Sequence, residues 1–115
     1  MSITLYHNPR CSKSRQTLAL LEERELTPEI ILYLDTPPSE EVLKALLNKL
    51  GMSARELMRK GEAEYKEHQL NNPALSEAEL IQALHHYPKL IERPIVVSGN
   101  RAKIGRPPES VLEIL

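Results

Sequence analysis

The residues best suited to do chemistry in this 115-residue chain stand together, because the segment His7-Asn8-Pro9-Arg10-Cys11-Ser12-Lys13-Ser14-Arg15 sets the single cysteine among three cations. A thiol attacks as its thiolate, and neighbouring positive charge and a helix N-terminus both favour that form. Backbone N–H groups at a helix start also bind anions. A thiolate and a bound oxyanion repel each other, so a site that hosts both needs further cations. His7 is a candidate proton or charge partner for the thiolate, set against the plainer role of a polar residue at a strand end. Cys11 is read as a thiol with a task in preference to a small core filler.

The elements around this segment must place it. Ile3 and Leu5 alternate with polar neighbours up to Asn8-Pro9, which predicts a short strand running into a loop. From Ser12 the apolar positions Leu18, Leu20 and Leu21 suit a helix, with no breaker before Pro28. Cys11 then falls at or just before the helix N-terminus. The run Ile30-Ile31-Leu32-Tyr33 between Pro28 and Pro37 predicts a buried strand over Glu29–Leu34. Strand, helix and strand make a βαβ unit. Its first loop lies at the carboxyl ends of the strands, where open α/β sheets bind ligands.

The middle of the chain, about residues 39–86, reads as a helical insertion of three helices. Ser39 starts one that ends before Gly51. Ser53 with Glu56 and Ser76 with Glu79 fit capping boxes, and Asn71-Asn72-Pro73 breaks the last two helices apart. Ile95-Val96-Val97, a turn at Ser98-Gly99-Asn100 and a strand around Ala102–Ile104 predict a hairpin. A final helix opens at Pro107-Pro108. The predicted class is α/β: βαβ, helical insertion, then ββα, in one domain over 1–115 with a small mixed sheet.

Composition narrows the function. Hydrophobic residues at 41% and charged residues at 27% mark a folding chain. Without Phe or Trp it has no aromatic platform for stacking bases. A net charge of −1 gives no global field for nucleic acid or anionic lipid, so any anion site is local. A single cysteine excludes an internal disulfide and multi-thiolate zinc sites. His85 and His86 are adjacent and diverge on a helix, so no metal site is expected. Glu22, Glu23 and Glu25 read as a solvated helix face. No long apolar run and no cationic leader occurs, which makes the cytoplasm the expected location and leaves no expected membrane partner.

The loop His7-Asn8-Pro9-Arg10-Cys11-Ser12-Lys13-Ser14 resembles the His-Asn-Pro-x-Cys-x-x-Ser loop of the glutaredoxin-dependent arsenate reductases, the ArsC family. The similarity continues in order through Ile30-Ile31-Leu32-Tyr33-Leu34 with Pro37-Pro38, Leu57-Met58-Arg59-Lys60, Arg93-Pro94-Ile95-Val96-Val97 and Arg106-Pro107. This resemblance implies a thioredoxin-like fold with a helical insertion, a nucleophile at Cys11, and an arsenate-binding set of Arg59, Arg93 and Arg106. It also implies that Pro94 is the cis-proline beside the active-site loop.

Planar guanidinium groups match the oxygens of a tetrahedral dianion such as arsenate. They would also stabilise charge developing as the thiolate displaces an oxygen. Reduction of arsenate to arsenite takes two electrons and this chain has one thiol, so the second sulfur comes from outside. The resemblance implies glutathione as co-substrate, with glutaredoxin resolving the mixed disulfide and no bound cofactor. Ser14 stands where a dithiol site would carry its resolving cysteine. Two other classes compete. One is a regulator similar to the Spx family that contacts RNA polymerase, often with a Cys-x-x-Cys switch absent here. The other is a monothiol glutaredoxin-like oxidoreductase, which has no need of the arginines.

Overall fold

The computed structural model describes residues 2–115, and Met1, the first residue of the expected domain, lies outside them. The described chain forms two compact units: the N-terminal segment through Thr36 with Arg93–Leu115, and Pro37–Glu92.

The first unit is a four-stranded mixed sheet. Strand β1 (Ile3–Tyr6) is followed by helix α1 (Ser12–Glu23) and strand β2 (Glu29–Ile31), and the hairpin of β3 (Ile95–Ser98) and β4 (Arg101–Ile104) completes it. The order is β2-β1-β3-β4. β1 pairs parallel with β2, as a βαβ crossover requires, and antiparallel with β3. The hairpin register places Ser98 opposite Arg101, leaving Gly99 and Asn100 to turn, with Gly99 at φ 61°. Ile3, Leu5, Leu21, Val96, Val111 and Ile114 bury together as the core of this unit. At about 25 cal/mol per Å² of apolar surface, such burial is what holds the sheet to its helical cover.

Two expectations need correction here. Glu29–Leu34 is not a buried strand: only Glu29–Ile31 pairs, at the sheet edge, and Ile30, Leu32 and Leu34 are exposed by 44%, 40% and 37%. An edge strand has one neighbour only, and Asp35 and Thr36 fold back to donate their N–H groups to Leu32 O, which ends the extended run. Tyr33 is the residue of this segment that is buried. The last element, Pro108–Ile114, is a 3-10 helix instead of an α-helix. It buries Pro108, Val111 and Ile114, positions three apart on the eclipsed face of a threefold helix.

The second unit is helical: α2 (Glu40–Leu50), α3 (Ala54–Leu57), α4 (Ala63–Glu67), α5 (Glu77–His86) and a 3-10 turn at Pro88–Leu90. Ser39 caps α2 by accepting from Val42 N, and Gly51 ends it in the left-handed region at φ 68°. Both capping boxes form, Ser53 with Glu56 and Ser76 with Glu79. The expected middle helix is split into two. After Leu57 the chain instead turns extended at Met58 and pairs with the end of the 3-10 turn and the residues after it, through Arg59 N–H to Leu90 O, Glu92 N–H to Leu57 O and a bridge between Met58 and Ile91. That pairing satisfies backbone groups that a continued helix would otherwise have bonded. No helix among the described residues is long and apolar enough to cross a membrane.

Candidate functional site

Cys11 occupies the N-cap of α1, extended at φ −92° and ψ 123°, and does not spend its side chain on capping. The loop that delivers it is tied down at several points. Cys11 N–H donates to Asn8 O at 3.0 Å, Arg10 N–H to Asn8 Oδ1 at 3.1 Å, and Arg15 Nη1 to Pro9 O at 2.9 Å. The thiol, partly exposed, therefore sits on a fixed backbone at the positive end of a helix of twelve residues.

Beneath the loop, Ser14 and His7 are buried and joined. His7 Nδ1 and Ser14 Oγ lie 2.6 Å apart, and the same Oγ accepts Asn8 N–H at 3.0 Å. Burial first, and the Arg15 guanidinium second, hold the His7 pKa below the usual histidine value. The neutral imidazole and the Ser14 hydroxyl share one hydrogen bond through Nδ1, while Ser14 Oγ accepts from Asn8 N–H. Ser14 is thus a strut between the end of β1 and the start of α1. His7 and Ser14, both expected around the thiolate, are joined to each other.

The hairpin brings in the cations of the first unit. Arg106, two residues after β4, points Nη2 at Cys11 Sγ across 3.6 Å, while its Nε donates to Arg93 O at 2.8 Å. The second contact fixes the plane of the guanidinium beside the thiol. The Arg93–Pro94 peptide is cis, as is Arg106–Pro107. Pro94 is buried, and its carbonyl accepts the N–H of Gly105 at 2.9 Å.

Arg59 belongs to the second unit. Its backbone N–H donates to Leu90 O at 2.7 Å, and its guanidinium pairs with Glu92 at 3.5 Å and Glu62 at 3.9 Å. It follows the end of α3 by two residues. His85 turns Nδ1 to Pro38 O at 2.8 Å within the same unit.

Sequence reasoning missed Gly105 and Thr17. Any Cβ on Gly105 would collide with Thr17 Oγ1 and Pro94 Cγ, so the close packing of β4's end on α1 depends on the absence of a side chain. A lone glycine where a strand ends, just before Arg106-Pro107, is the signal that pointed there. Thr17, on the buried face of α1, carried none.

A mixed sheet of this order, a crossover helix capped by a cysteine, and a proline-led hairpin beside it define a thioredoxin-like fold with one thiol at the helix start. Comparison with known proteins is more specific, and the chain belongs to the ArsC family, whose model matches residues 6–114. It is 53% identical to "Arsenate reductase" of Haemophilus influenzae over 100% of both chains. It is 59% identical to "Uncharacterized protein YfgD" of Escherichia coli K12, over 98% of this chain and 96% of that one. The solved structure "Arsenate reductase from Vibrio cholerae" superposes with a TM-score of 0.98 at 54% identity, covering 100% of this chain and 98% of the other.

Proposed function

We propose that this protein is a cytoplasmic arsenate reductase in which Cys11 is the nucleophile and glutathione and glutaredoxin supply the reducing sulfur. The observation that carries the reading is the guanidinium of Arg106 held 3.6 Å from Cys11 Sγ by its bond to Arg93 O. A thiolate beside an oriented guanidinium at a helix N-terminus is suited to attack on a tetrahedral dianion. Arg106 offers charge-assisted hydrogen bonds to the oxygens, and the amide end of α1 adds its positive dipole. Arg93, one residue before the buried Pro94, is the second oxyanion-binding cation in this reading. Relatives named arsenate reductase across the full length support the choice of oxyanion.

In the proposed cycle the thiolate displaces one oxygen of arsenate, which leaves as water after protonation, and a Cys11–arsenic(V) bond forms. The thiolate of glutathione then attacks the Cys11 sulfur, and the sulfur–arsenic bond breaks with its electron pair going to arsenic. Arsenic takes two electrons and leaves as arsenite, while the two sulfurs each lose one and join as a Cys11–glutathione disulfide. Glutaredoxin then reduces that disulfide and restores the thiol. The chain's one cysteine requires the external sulfur, since no internal disulfide can form.

The test is NADPH consumption dependent on arsenate in a mixture with glutathione, glutaredoxin and glutathione reductase. Activity in the parent and its absence in Cys11→Ser are expected. Full activity in Cys11→Ser, or none in the parent, removes the proposal.

A further inference from the structure

Gly105 is buried at the end of β4, its N–H bonded to Pro94 O at 2.9 Å. A Cβ placed on it would lie 2.5 Å from Thr17 Oγ1 and 2.8 Å from Pro94 Cγ, distances that real Cβ atoms essentially never show. Neither neighbour yields cheaply. Thr17 is fully buried and its Oγ1 is bonded to Lys13 O at 2.9 Å within α1, and Pro94 is a buried ring. A side chain at 105 must therefore displace the backbone at the end of β4.

The next residue is Arg106, whose guanidinium spans Arg93 O and Cys11 Sγ. At 3.6 Å the Sγ contact weakens as the distance grows, so a backbone displacement that carries the guanidinium away loses it. We infer that Gly105 is a positioning residue: its missing side chain lets β4 close onto α1 and Pro94, and this closure sets the Arg106 guanidinium against the Cys11 thiol. The inference rests on the reading of Cys11 and Arg106 as the reacting pair, but its test needs no arsenate.

The measurement is the ratio of the rates at which iodoacetate and iodoacetamide alkylate Cys11. Both reagents attack the same thiolate, so the ratio cancels exposure and ionisation and reports positive charge beside Sγ. A unit charge about 4 Å away, screened as in water, changes the ratio about fivefold. A fall of about fivefold is expected in Arg106→Ala and of at least about twofold in Gly105→Ala. No further fall is expected when Gly105→Ala is added to Arg106→Ala, because the two act through one guanidinium. A change confined to the exposure or the ionisation of the thiol would leave the ratio near the parent's.

An unchanged ratio in Arg106→Ala, an unchanged ratio in folded Gly105→Ala, or a further fall in the double variant overturns the inference. If circular dichroism shows Gly105→Ala to be unfolded, Gly105→Ala with Thr17→Ala relieves the threonine clash and keeps that with Pro94. A lowered ratio in this variant then supports the inference and the parent's ratio overturns it. An inactive parent in the coupled assay, with ratios behaving as expected, removes the arsenate reading alone.

Discussion

Arg106 reaches Cys11 across 95 positions of sequence, and its Nη2 stands 3.6 Å from Sγ while Nε holds Arg93 O. The bidentate geometry distinguishes guanidinium from a simple positive charge. In the arsenate-dependent assay, Arg106→Ala is expected to lower kcat/KM about a hundredfold, the scale for loss of one donor to a developing oxyanion. Arg106→Lys is expected to recover less than about a tenth of the loss, since an ammonium cannot hold Arg93 O and the anion in one plane. Equal activity of the lysine variant and the parent would refute the oriented-guanidinium account.

Ser14 supports the loop from below. Removing its hydroxyl leaves Asn8 N–H and His7 Nδ1 without the partner each has in the folded chain. Ser14→Ala is expected to cost about 1–3 kcal/mol in urea unfolding, the range for a buried polar group left unsatisfied. A change below about 0.5 kcal/mol would mean that the two groups find other partners.

The buried imidazole gives stability a pH dependence of definite sign. Burial, then Arg15, lower the pKa of His7 in the folded chain, so the folded state favours the neutral ring. Its contribution is fully present above the unfolded value of about 6.5 and declines as pH falls below it, because the unfolded chain binds the proton first. The decline stops once folded His7 also titrates. Urea midpoints measured between about pH 7.5 and pH 5 should fall less in His7→Gln than in the parent. An equal or steeper fall would place the dependence elsewhere.

Helix α1 ends through Glu25, a non-glycine residue at φ 61°, with Leu26 N–H returning to Leu21 O at 3.0 Å. The left-handed region costs an L-residue roughly 1–2 kcal/mol, which glycine avoids at some cost in chain entropy. Glu25→Gly is therefore expected to raise stability by about 0.5–1 kcal/mol in thermal or urea unfolding. A loss would show that the glutamate side chain contributes more than its backbone strain costs.

Much of this architecture was legible in residue types with strong local rules. Ser39 and Gly51 bounded α2, Ser53 and Ser76 opened their helices with glutamate three positions on, and Gly99-Asn100 turned the hairpin. Each rule concerns backbone groups within a few residues. Long-range pairing decided the rest. Met58 and Arg59 left the helical pattern to pair with Leu90 and Ile91, and Ile30, Leu32 and Leu34 came out exposed because β2 has a neighbour on one side only. At the site, Cys11 at a helix start could be read from Pro9 and the cations around it. The approach of Arg106 depended on Gly105 fitting against Thr17, a contact between segments with no shared pattern.

The split of the first unit between the two ends of the chain has a consequence for biosynthesis. β1 emerges from the ribosome first and is an inner strand, yet its neighbour β3 is made after Pro37–Glu92. Until β3 and Arg106 have been made, Cys11 has neither β3 beside its sheet nor Arg106 beside its sulfur. A chain made only as far as Glu92 thus carries the thiol without the guanidinium that stands 3.6 Å from it in the folded protein.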